Sequence, residues 1–261
     1  MDTTPIFIGE IPALLWGAPS SQLIVAVHGS GSHKGDEVIA LLAREAVPKG
    51  YRVLSFDLPE HGDRQGHPAL CKAQTCVPEL VQVMAYAQTL ASHIRLFGCS
   101  LGAYFGLLAC RGFPLEQALF LSPVVDMERL IGNMMGWFQV TPQQLEAEGE
   151  IPTPMGQTLY WDYYCYVKGH PIDQWDAPTA ILCSSQDTLS EPEVVHAFAR
   201  RFSCDLQVLE GGEHFFPPAA GRLSGLAVTS YRASSLKGKR APVSTGALLL
   251  RLGPLVSYCM K

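Results

Sequence analysis

The sequence predicts an α/β domain: a mostly parallel central sheet with helices on both faces. Three observations carry this reading. Short apolar runs alternate with stretches of helical periodicity along most of the chain. Residues 22–28 (QLIVAVH) are apolar nearly without interruption, the pattern of a strand buried on both sides rather than on one. The chain has 261 residues with 48% hydrophobic and only 16% charged residues, enough for one domain with a large core.

Taken in order, residues 6–16 (IFIGEIPALLW) read as a hairpin or edge strands. The run at 22–28 ends at Gly29 and a Gly/Ser loop, and a helix begins near Asp36 with Val38, Ile39, Leu41, Leu42 and Ala46 on one face. Residues 51–58 (YRVLSFDL) form the next strand, stopped by Pro59. After a polar loop, a helix is expected from about Val77 to Leu90, a strand at 94–98, a helix from Ser100 to Arg111 and a strand at 117–121. The alternation breaks between Pro123 and Ala177. It resumes with a strand over TAILCSS, a helix from about Glu191 and a strand over DLQVLEGG.

Composition narrows the function. A net charge of −5 argues against nucleic-acid binding, which favours a basic face. No apolar run reaches the roughly 18 to 20 residues of a membrane span. The opening residues MDTTPIFIGE lack a basic n-region. Eight cysteines scattered through a chain of this size fit free thiols in a reducing compartment, so a cytoplasmic location is expected. Cys71 and Cys76 are close enough in sequence to pair across a loop, but no second pair completes a zinc site and free thiols are the expectation.

The last segment is unlike the rest. Residues 1–213 hold all 24 acidic residues and 12 basic ones, whereas 214–261 add seven basic residues and no acid. Pro217-Pro218 follow Phe216 at once, and no clean helical stripe appears after them. This composition marks 217–261 as an atypical basic tail, and its abrupt onset suggests a foreign or frame-shifted segment.

The sharpest motif is Gly98-Cys99-Ser100-Leu101-Gly102, a G-x-S-x-G between an apolar strand and a helix. In that setting it is a nucleophile elbow: the glycines permit a tight, crowded turn, and the serine stands at a helix N-terminus where developing negative charge is favoured. A nucleophilic serine needs a base, and the base needs an orienting acid. Asp187, just past the strand TAILCSS, and His214, just past DLQVLE, follow Ser100 in that order. All three fall at carboxyl ends of strands, the rim where sites of open α/β sheets assemble. The oxyanion hole is expected from the amides of Leu101 and Ser30, with Gly31 as the alternative to Ser30.

Together, VAVHGSGSHKG, SFDLPEHGDR, GCSLGA, SSQDTLSEPE and GGEHFF resemble the α/β-hydrolase superfamily in its small esterase and lipase-like branch. The resemblance spans roughly residues 6–216. It implies an α/β-hydrolase core over 1–123 and 177–216, a cap or lid inserted at 124–176, and a serine hydrolase without metal or cofactor. It also implies a structural role for Asp57 and the His61-Gly62-Asp63 turn. The inserted segment is rich in aromatic residues, of which Trp137, Tyr160 and Trp161 are candidates for contact with substrate. MERLIGNMMGWF (127–138) reads as an amphipathic lid helix.

The expected chemistry is hydrolysis of small-to-medium carboxylic esters, a small-molecule substrate, through an acyl-enzyme. Two alternatives stay open. One is another reaction on the same triad, such as acyl transfer or amide or carbon–carbon bond hydrolysis. The other is a binding protein of this fold with little turnover.

Overall fold

The computed structural model of the chain describes residues 2–215 and 228–231. The N-terminal run folds as a hairpin, β1 (Thr3–Ile8) and β2 (Ile11–Trp16), turning at Gly9 with φ +61°. Then come β3 (Gln22–Val27), α1 (Glu37–Ala46), β4 (Arg52–Phe56), α2 (Ala73–Leu90), β5 (His93–Cys99), α3 (Leu101–Ala109) and β6 (Gln117–Leu121). The chain next leaves the sheet to form α4 (Met127–Trp137), α5 (Pro142–Glu148), the small antiparallel pair β7 (Glu150–Pro152) and β8 (Thr158–Tyr160), and α6 (Trp161–Gly169). It returns as β9 (Thr179–Ser184), α7 (Pro192–Arg201), β10 (Asp205–Leu209) and β11 (Val228–Tyr231). Apart from the backbone of β11, the basic tail predicted from residue 217 onward lies outside the described residues.

Among the described residues the main sheet has nine strands in the order β1-β2-β4-β3-β5-β6-β9-β10-β11. The six from β4 to β10 in that order are parallel to their neighbours; β1, β2 and β11 join antiparallel. The continuous apolar run of β3 has a direct cause. Leu23, Val25 and Val27 enter one core and Ile24 and Ala26 the other, because successive side chains of a strand face opposite ways. On the first face the core is closed by α2, α3, α4, α5, α6 and α7. On the second, among the described residues, α1 is the only helix that contributes side chains, with Ile39, Leu42 and Ala46.

Asp36 caps α1 by accepting the Ile39 N–H at 2.9 Å, which is why that helix starts where the sequence places it. The expected start of α2 moves. It begins at Ala73 rather than near Val77, since the Thr75 and Cys76 amides already bond the Lys72 carbonyl, at 3.0 and 2.8 Å. Pro78 therefore sits inside the helix, where it removes one N–H donor to the Gln74 carbonyl.

Candidate active site

Ser100 occupies the corner between β5 and α3. Its backbone takes φ +47° and ψ −114°, a conformation that L-residues rarely adopt. The surroundings hold it there: its N–H donates to the Leu121 carbonyl at 2.9 Å, and its carbonyl accepts the Val124 N–H at 3.2 Å. The flanking glycines are dictated by crowding. A Cβ on Gly98 would lie 2.7 Å from the Ala103 Cα, and one on Gly102 would lie 2.3 Å from the His28 carbonyl oxygen. The loop after β3 crosses in front, so a Cβ on Gly29 would lie 3.3 Å from that of Ser100. Leu101 opens α3, and the first amides of a helix have no partner within it.

Asp187 and His214 are carried by the loops after β9 and β10. Those loops are knitted together: the Ser185 N–H donates to Leu209 O (3.0 Å), the Gln186 N–H to Gly212 O (2.9 Å) and the Gly211 N–H to Ser185 Oγ (2.8 Å). His214 Nε2 lies 2.9 Å from Ser100 Oγ. Its Nδ1 lies 3.0 Å from Asp187 Oδ1 and 2.8 Å from Oδ2. Asp187 Oδ1 also accepts the amides of Leu189 and Ser190, at 2.9 and 2.7 Å. These donors compensate a carboxylate whose side chain is fully buried. An acceptor-only carboxylate assigns the proton of neutral His214 to Nδ1 and leaves Nε2 to accept from the serine hydroxyl. The three residues picked out in sequence thus form one hydrogen-bonded chain.

His28 has a part that sequence reading did not assign. It is almost fully buried, its Nδ1 donates to the Gly29 carbonyl at 2.7 Å, and its Nε2 accepts the Leu58 N–H at 3.1 Å. Burial pushes its pKa down to about 4, so the ring is neutral and can make both bonds at once. It fixes the loop that carries Ser30 and Gly31 against the one that follows β4.

The same two loops are joined by charge. Asp57, with a fully buried side chain, receives Lys34 Nζ at 2.5 Å, the Lys34 amide at 2.8 Å and the Asp63 amide at 2.9 Å. Lys34 also meets Asp63 at 2.6 Å. A Cβ on Gly62 would strike the Asp57 carboxyl at 2.3 Å, and φ there is +53°, so the turn after β4 demands glycine.

A cleft of about 540 Å³ opens over Ser100, bounded by Ser30, Gly31 and Leu101 on the sheet side. Its far wall comes from α4, through Met127, Leu130, Ile131 and Met134, and from Tyr160 and Tyr163. Among the three aromatic candidates, only Tyr160 lines it. Trp137 is 45% exposed, and Trp161 packs on the first core next to Tyr164. The expectation of an aromatic wall thus gives way to a methionine- and leucine-rich one, spaced as one face of α4. The i, i+3, i+4, i+7 pattern of MERLIGNM marked that face as buried, but not what it was buried against. Among the described residues no helix is long and apolar enough to cross a membrane.

A model described as the Alpha/beta hydrolase family matches residues 24–223. Among curated proteins none matches. The fold is similar to that of Est1E from Butyrivibrio proteoclasticus, solved with ferulic acid bound (TM-score 0.69, 19% identity, 81% of this chain and 90% of that one). It is also similar to alpha/beta hydrolase domain-containing protein 10 from mouse (TM-score 0.67, 16% identity, 83% and 92%). A third likeness is the Pyrococcus furiosus esterase Pf2001 (TM-score 0.59, 17% identity, 82% of each chain). At these identities the likeness is one of fold.

Proposed function

Because the chain belongs to the alpha/beta hydrolase family, we propose that it is a serine hydrolase of small-to-medium carboxylic esters, with Ser100, His214 and Asp187 as its triad. The observation that carries the reading is the 2.9 Å contact between His214 Nε2 and Ser100 Oγ, backed by Asp187 on Nδ1. The names of two similar structures, an esterase from Pyrococcus furiosus and Est1E with ferulic acid, support an ester substrate.

In this mechanism His214 takes the Ser100 proton as the oxygen attacks the ester carbonyl. The imidazolium that forms is held by Asp187, which keeps its charge and orients the ring. The amides of Leu101 and Ser30 receive the oxyanion of the tetrahedral intermediate; preorganised donors of this kind are each worth about 3 kcal/mol in the barrier. His214 returns the proton to the leaving alcohol, then activates a water that releases the acid and frees the serine. Segment 124–176 acts as a cap, with α4 providing an apolar wall for the acyl chain. No metal or cofactor takes part in any step.

The test is a burst assay with p-nitrophenyl acetate and butyrate on wild type and Ser100→Ala. Turnover by the wild type that falls about 10⁴-fold or more in the variant is the expected result. A folded wild type without turnover on either ester would favour a binding protein on this fold. Equal turnover in both proteins would remove Ser100 as the nucleophile.

A further inference from the structure

The cleft wall opposite α4 contains chemistry that ester hydrolysis does not use. Cys71 and His61 both line the cleft that holds Ser100. Cys76, in the first turns of α2, is fully buried, and its thiol donates to Cys71 Sγ at 3.8 Å. His61 Nδ1 donates to the Pro59 carbonyl at 2.7 Å, so its other nitrogen is the one available to Cys71. The His61 ring and the Cys71 thiol act on each other electrostatically, the ring favouring the thiolate and the sulphur favouring the imidazolium. The Cys71 amide is anchored on Glu60 Oε2 at 2.7 Å.

This is a thiol with a partner thiol behind it, a base beside it and an open cleft in front. The electrostatics agree. The Cys76 hydrogen bond, and after it the nearby His61 ring, hold the Cys71 thiol well below the usual thiol range despite the opposing cost of burial. Burial pushes Cys76 the other way, keeping it a thiol and a donor.

We propose that Cys71 and Cys76 form a peroxide-reactive dithiol site in the wall of the cleft, with Cys71 attacking and Cys76 resolving. In the first step the Cys71 thiolate attacks one oxygen of hydrogen peroxide. The S–O bond forms, the O–O bond breaks, and the sulphur loses two electrons to the peroxide. The departing hydroxide takes the proton held by His61 and leaves as water, giving a sulfenic acid on Cys71. In the second step Cys76 Sγ attacks Cys71 Sγ, the S–S bond forms, and the S–O bond breaks. The hydroxyl leaves with the Cys76 proton as a second water. Overall two thiols and one peroxide give one disulfide and two waters. The pairing asks little of the fold, since the two sulphurs already touch and need only close from 3.8 Å to a bond of about 2.05 Å.

The sequence makes the test clean. Trypsin cuts after Arg64, Lys72 and Arg95, which separates Cys71 (peptide 65–72) from Cys76 (peptide 73–95), each the lone cysteine of its fragment. The full-length protein is treated with one equivalent of hydrogen peroxide, alkylated and mapped without reduction. The expected result is a crosslinked 65–72/73–95 pair that dithiothreitol abolishes, formed before Cys165 is modified. Cys165 is the internal control because it is the exposed cysteine among the described residues. In Cys76→Ser the expected product is a dimedone adduct on Cys71 in place of the crosslink. Oxidation of Cys165 with Cys71 and Cys76 still alkylated would overturn the proposal, and so would a Cys71 adduct in wild type that never passes to Cys76. The wild-type map does not depend on the Cys76→Ser variant folding, and it reads the thiols whether or not Ser100 is a nucleophile.

Discussion

Gly102 lies against the His28 carbonyl oxygen so closely that a Cβ at residue 102 would sit 2.3 Å from it. This contact joins the helix that follows Ser100 to the loop that carries Ser30 and Gly31. It explains why the second glycine of the motif is required by packing rather than by its own dihedral angles.

A contrast between two helical glycines follows from that contact. Gly102→Ala meets backbone that cannot move away and should lose about 3 kcal/mol or more of stability. Gly132→Ala, in α4 with nothing within 4 Å of its added Cβ, should gain up to about 1 kcal/mol from helix propensity. Urea unfolding of the two variants beside wild type checks both signs.

Strain at Ser100 is readable in the same way. Ser100 holds φ +47°, so Ser100→Gly should raise stability by about 1 kcal/mol while abolishing ester turnover. A rise in Tm accompanied by loss of activity is the expected pair of results; a fall in Tm would show that the hydroxyl stabilises the fold more than the backbone strains it.

Asp187→Asn keeps the shape of the carboxyl but can present an N–H to His214 Nδ1. That favours the tautomer with the proton on Nε2, where it opposes Ser100. The expected outcome is a fall in kcat of about 10³- to 10⁴-fold with KM nearly unchanged. A loss confined to KM would mean that Asp187 serves binding rather than the imidazole.

The buried His28 sets a pH dependence of stability. Its pKa is lowered to about 4 in the fold against about 6.5 in an unfolded chain, so below pH 6.5 the unfolded state binds a proton that the native state refuses. Stability therefore falls as pH drops through the window from 6.5 to 4, by about 2 kcal/mol at pH 5. Asp57, held below its usual range by Lys34 against the opposing effect of burial, loses its contribution only at lower pH. His61 is shifted upward: burial opposes its charge, and Cys71, the Pro59 carbonyl and Glu60 together more than offset this. Its contribution is complete below pH 6.5 and is lost at higher pH. Denaturant midpoints at pH 7 and 5, for wild type and His28→Gln, should show a smaller change in the variant.

Much of this protein is set locally, and that part could be read from residue order. The alternation along QLIVAV requires a strand with two buried faces, and the Gly98–Gly102 motif requires a tight turn before a helix, because period and steric demand belong to neighbours in the chain. The rim positions of Asp187 and His214 follow from the same local pattern. What only the tertiary structure decided is which distant groups meet. The 2.9 Å reach from His214 to Ser100 depends on the loops after β9 and β10 bonding each other. The cleft is faced by the methionines of α4 and by Tyr160 rather than by Trp137 or Trp161, because aromatic content does not say which way a ring turns. His28 became a neutral clamp through burial and its bond to the distant Leu58 amide, and Cys71 came to share one cleft with Ser100. Those are properties of the packed chain, and no spacing along the sequence encodes them.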